Sequence, residues 1–120
     1  MIGILLSINL YGQDLCVQNL EEAQESFNEG RFYSVEPLLS SCLQSGFNRQ
    51  ERIQALELLA LTKLYLDKLE EADSIYLNLL RIDPEHQVNE QLDPPDLIFL
   101  HNSFRTDPLF LWSLILGGNI

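Results

Sequence analysis

Basic side chains are scarce in this chain. Of its 120 residues only seven are Lys or Arg, against 18 Asp and Glu, which leaves a formal charge of -11. The seven are Arg31, Arg49, Arg52, Lys63, Lys68, Arg81 and Arg105, and no three of them are adjacent. Phosphate-backbone binding draws on clustered cations that release counterions. Nucleic acid is therefore a poor partner, as is an anionic membrane surface. A basic protein or peptide would be steered toward the chain, although acidity by itself also keeps a small protein soluble. Motifs with a reaction attached are missing too: there is no G-x-x-x-x-G-K-[ST], G-x-G-x-x-G, G-x-S-x-G or EF-hand loop. The two histidines, His86 and His101, have no H-E-x-x-H or C-x-x-C companion, so they read as surface or capping residues and not as metal ligands. Neither cysteine has a histidine partner motif, which argues against a thiol nucleophile. The sequence thus predicts no catalytic residue, no cofactor and no metal.

What is present is the composition of a single globular domain, 46% apolar and 21% charged. Both ends depart from it. Residues 1–13 carry no charged side chain, and Ile2 to Leu10 is apolar apart from Gly3, Ser7 and Asn9. That is the length of a signal-peptide h-region and too short to span a bilayer. It lacks a Lys- or Arg-bearing start, and an apolar element packed on the core has the same composition. Residues 1–12 are set apart here as a signal-peptide remnant, 13–106 as the domain, and 107–120 as an apolar tail. In that tail Leu109 to Leu116 is apolar except for Ser113. Eight residues are too few for a spanning helix, while about nine to eleven make a tilted barrel strand. The tail must then pack on the domain, pair with another chain, or be the stub of something longer, and self-association and outer-membrane association are both open.

Between the ends the pattern is helical. Leu15, Leu20, Ala23 and Phe27 recur at about 3.6-residue spacing, predicting a helix from after Asp14 to Glu29, stopped by Gly30. Phe32 to Leu43 follows, with Val35, Leu38, Leu39 and Cys42 on one face, Pro37 in its opening turns and Gly46 as its stop. Asn48 and Glu51 form a capping-box signature for a third helix, Arg49 to Leu66. That helix is apolar nearly all round, as expected of one sandwiched between neighbours. Leu69 to Ile82 makes a fourth helix, ended by Asp83-Pro84. After a polar link, Asp93 as N-cap with Pro94 at the first helical position starts a fifth helix carrying Leu97, Ile98, Leu100 and Phe104. Glu21, Glu25 and Glu29 form an i, i+4 row on the first helix, expected to be a solvated face that can also attract a cation.

These helices carry a repeat. Gly30-Arg31-Phe32-x2-Val35-x3-Leu39 sits over Asp67-Lys68-Leu69-x2-Ala72-x3-Tyr76 at an offset of 37 residues. Leu56, Leu59, Ala60, Ala72, Tyr76 and Pro84 fit the tetratricopeptide template, whose period is about 34. The first pair is degenerate, with Asn19 and Glu22 where the template has large apolar residues. With Leu92-Asp93-Pro94-Pro95 and Ser103-Phe104-Arg105-Thr106 following, the chain resembles exported Gram-negative proteins in which a short tetratricopeptide-like region precedes an outer-membrane β-barrel. The resemblance covers about Asp14 to Leu116, and the barrel itself is absent. It implies an all-α, right-handed superhelix of two helical hairpins plus a C-terminal capping helix, placed in the periplasm or at the outer membrane. It also implies a non-catalytic module that binds a protein or peptide, or one that only anchors an outer-membrane assembly. The inner wall of its groove would come from the first helix of each pair, Leu20, Gln24 and Phe27 with Glu57, Leu58, Leu61 and Tyr65.

Cys16 and Cys42 lie 14 and 12 residues from Gly30, so an antiparallel hairpin puts them at about the same height. In an oxidising compartment they can pair, and closing that loop would stabilise by about 3 kcal/mol. Otherwise they pack as small hydrophobes. An enzyme would have little to work with beyond Asp93 and Asp96, which helix capping already explains.

Overall fold

Three tight turns dictate the path of the chain. A computed structural model describes residues 2–105, and every element among them is helical: α1 (Ile2–Asn28), a single 3-10 turn (Phe32–Ser34), α2 (Val35–Gln44), α3 (Arg49–Tyr65), α4 (Leu69–Ile82) and α5 (Pro95–Arg105). The apolar tail, residues 107–120, lies outside the described residues.

α1 ends in a left-handed Gly30 (φ 82°), with the Gly30 N–H donating to the Phe27 carbonyl and the Arg31 N–H to that of Ser26. This is the paired closure that satisfies the orphan carbonyls of a helix end. The same closure recurs 37 residues on. Asp67 takes φ 63°, its N–H donates to Leu64 and the Lys68 N–H donates to Lys63. The two hairpin turns therefore share one conformation, in the register that the sequence offset predicts. Between the hairpins Gly46 (φ 130°) lets the chain pass the Cys16 sulfur, which a β-carbon there would approach to 2.5 Å.

The first hairpin packs α1 on α2 and the second packs α3 on α4, with α3 also touching α1, α2 and α5. Two clusters fill the interior. Cys16, Ala23, Val35, Leu39, Cys42 and Phe47 meet one side of α3 through Ala55, Leu58 and Leu59. Tyr76, Leu79 and Leu80 of α4 and Leu97 and Leu100 of α5 meet its other side through Ile53, Leu56, Ala60 and Leu61. The all-round apolar character of α3 thus has its expected cause: it is the shared layer of both cores. The predicted capping box is formed, Glu51 N–H donating to Asn48 Oδ1 at 2.8 Å and Asn48 N–H to Glu51 Oε1 at 3.0 Å.

Four expectations need correction. α1 starts at Ile2 and not after Asp14, because no proline interrupts residues 2–13 and the absence of charge does not stop helix propagation. Leu15, expected on the buried face, is exposed, since that face is narrowed to the Cys16, Ala23 and Ser26 line that meets α2. Asp93 is not the N-cap of α5; its carboxylate accepts from the Asn89 N–H at 2.7 Å, and the Pro94 carbonyl accepts the first helical bond from Ile98. The histidines are not surface residues, as described below. Among the described residues no helix is long and apolar enough to cross a membrane.

Candidate functional site

Where α1 leans on α3, the start of α5 closes one end and leaves a groove of about 560 Å³. Its apolar lining is Val17, Leu20 and Phe27 from α1, Leu58 and Leu61 from α3, and Pro94 and Leu97. Leu58, Leu61 and Leu97 belong to the buried core, so this floor is a fixed part of the fold. Glu21 of α1, Glu51 and Glu57 of α3, and Asp93 supply four carboxylates. Gln24, Asn28 and Gln54 add amides, and no Lys, Arg or His is among the lining residues.

Six of the seven residues assigned to the inner wall from sequence converge here: Leu20, Gln24, Phe27, Glu57, Leu58 and Leu61. Tyr65 does not line the groove. It sits at the last turn of α3, its ring stacked on Phe27 (centroids 5.2 Å) and edge-on to Phe32 at 5.4 Å. Tyr65 thus backs Phe27 from the hairpin-turn end, its side half open to water. Pro94 and Leu97, at the start of α5, wall one end of the groove, and Leu61 lies buried in its floor.

The disulfide stands behind this geometry. Cys16 and Cys42 are joined, with Cα atoms 5.7 Å apart, which fixes α1 against α2 directly before Val17, where the groove residues of α1 begin. Glu25 and Glu29 are exposed, and Glu29 pairs with Arg31, so of the acidic row only Glu21 reaches the groove.

Sequence reasoning missed two charged sites. Lys63, on the opposite side of α3, is buried yet paired with Glu36 at 2.9 Å and Glu71 at 3.1 Å. Burial works against its charge, but the hydrogen bonds to those two carboxylates outweigh it and hold the ammonium above the usual lysine value. The second is His86, from the loop after α4. Its Nε2 lies 2.6 Å from Glu57 Oε2, and its Nδ1 lies 3.6 Å from Asp83. The hydrogen bond to Glu57 raises the imidazole pKa above the ordinary histidine value, burial opposes this, and the charges of Glu57 and Asp83 reinforce it. His101 is buried beside it, its Nδ1 2.5 Å from the Tyr76 hydroxyl. Both histidines therefore belong to an aromatic junction of α4, α5 and the intervening loop, with Phe104 stacked on Tyr76. The two shortest pairings had no local signal, because Glu36 lies 27 residues from Lys63 and Glu57 lies 29 from His86. Among the described residues no group of three or more His, Cys, Asp or Glu is arranged to hold a metal ion. Comparison with protein-family models, with curated proteins and with solved structures finds no match.

Proposed function

We propose that this chain is a non-catalytic, tetratricopeptide-like interaction module that binds a basic protein or peptide segment in the groove between α1 and α3. The observation that carries it is the lining of that groove: a preformed apolar floor ringed by four carboxylates with no cation among them. An apolar side chain of the ligand would fill the space over Leu20, Phe27, Leu58 and Leu61 and supply affinity. Lys or Arg beside it would meet Glu21, Glu57 and Asp93, which adds orientation and speeds encounter. On this reading the two hairpins, turned by the same left-handed closure, would stack as the repeats of a right-handed superhelix, with α5 as the cap of the second. The Cys16–Cys42 bond suits an oxidising compartment, and so supports a place in the cell envelope.

Fluorescence anisotropy with two labelled peptides of equal length, one of Leu and Lys and one of Leu and Glu, tests this. The Leu/Lys peptide is expected to bind, more weakly as salt is raised, and the Leu/Glu peptide is expected not to. Replacing Glu21 and Gln24, both exposed on α1, by Arg should weaken the Leu/Lys peptide by about tenfold or more, equivalent to about 1.4 kcal/mol, with the helical circular dichroism unchanged. Equal binding of both peptides, or indifference to the double substitution, would overturn the assignment.

A further inference from the structure

Glu57 faces two ways. It lines the groove, and its Oε2 lies 2.6 Å from the Nε2 of His86. The other carboxylates of the groove are held differently: Glu51 and Asp93 each accept a backbone N–H, from Asn48 and Asn89 respectively, and Glu21 is exposed on α1. Glu57 is thus the groove carboxylate whose charge is shared with a titratable side chain. The groups facing that imidazole come from every element around it. They are Glu57 of α3, Asp83 and Tyr76 from α4 and its end, and His101 of α5, whose ring centroid is 6.2 Å away. Arg49, at the start of α3, reaches Asp83 at 3.7 Å.

We infer that Glu57 selects a cationic side chain of the ligand, and that the ligand's cation and a proton on His86 compete for this one carboxylate. The inference rests on the groove being the peptide site. With the ring protonated, the imidazolium offsets Glu57 and presents a like charge to an incoming ammonium or guanidinium. As the ligand's cation closes on Glu57, the imidazolium loses part of what stabilises it, and a proton passes from the ring to solvent while the ligand stays charged. If it leaves Nδ1, the neutral ring keeps its Nε2–H directed at Glu57, so the carboxylate holds its position while its charge turns to the ligand.

The sign follows from linkage. In the free protein the imidazole pKa is raised; with a cation on Glu57 it falls back toward the ordinary value of about 6.5. Below that value the ring is charged in both states and affinity is lowest. Between the two values affinity climbs with pH, by at most about tenfold per pH unit for one proton. Above the raised value the ring is neutral beforehand and affinity is level.

Isothermal titration calorimetry with the Leu/Lys peptide decides the matter, from about pH 5.5 to about pH 8.5 so as to bracket the histidine range, in two buffers of different ionisation enthalpy. The wild type should bind more tightly as pH rises and release a fraction of a proton per peptide. His86→Gln, which keeps a side chain able to donate to Glu57, should bind at acid pH as tightly as the wild type does at alkaline pH, without a slope. Glu57→Gln should bind weakly and also without that slope. Wild type and His86→Gln showing the same slope, or a wild type that binds more tightly at acid pH, would overturn the competition while leaving the groove assignment standing. No binding by any of the three proteins at any pH would overturn both.

Discussion

Asp67 holds a left-handed backbone (φ 63°) at the position where the first hairpin has Gly30 (φ 82°). A β-carbon in that conformation costs about 1–2 kcal/mol, and the turn is exposed, so the side chain has little packing to lose. Asp67→Gly is therefore expected to stabilise the protein by about 0.5–1 kcal/mol, after allowing for the greater freedom of glycine in the unfolded chain. Thermal denaturation should show the midpoint rising by roughly 2–8 °C for a domain of this size; a fall would mean that the aspartate makes a compensating contact. Glycine at the first turn was legible in the sequence as a helix stop. Aspartate at the second was legible only because it falls in register with that glycine. Lys63 was not legible at all, since a lysine amid leucines gives no hint that Glu36 and Glu71 will arrive from two other helices to meet it.

At the scale of an element, the best-read feature is the start of α3. Asn48 and Glu51 exchange two hydrogen bonds at that end, which the three-residue spacing alone foretold because nothing outside the turn competes for those groups. Asn48→Ala should cost about 1 kcal/mol, measured as a lower denaturant midpoint with an unchanged slope, and with peptide affinity retained because Asn48 does not line the groove. The same reasoning misplaced the cap of α5. There the loop backbone at Asn89 takes the Asp93 carboxylate first, a competition between two local hydrogen bonds that spacing cannot rank. The α1 boundary failed for a related reason: where a helix starts in a run without proline or charge is not marked by any residue, whereas its end is marked by Gly30.

At the scale of the whole molecule, the groove depends on holding α1 against the layer formed by α3. The Cys16–Cys42 bond does part of this, closing a loop whose ends are 26 residues apart. Reduction should lower stability by about 3 kcal/mol, seen as a shift of the denaturation midpoint in the presence of dithiothreitol, while helical circular dichroism under native conditions is kept because both cores of α3 remain. Loss of helix on reduction would show instead that the first hairpin cannot fold without the bond. Peptide affinity should fall alongside, since Leu20, Gln24 and Phe27 all stand on α1.

The sequence by itself determined most of what depends on residues within about four places of one another: the helical class, the turn at Gly30, the capping box, and the all-round apolar character of α3. These are properties of a helix and its two ends, so a local pattern suffices. Tertiary structure decided which of those faces meet, and with them the side chains that give the groove its charge. It turned Tyr65 away to support Phe27, buried Lys63 and His101, and brought His86 from the loop after α4 onto Glu57, 29 residues earlier. Such meetings follow from how the layers stack against α3, a choice made by the packing of both cores together and written in no single stretch of the chain.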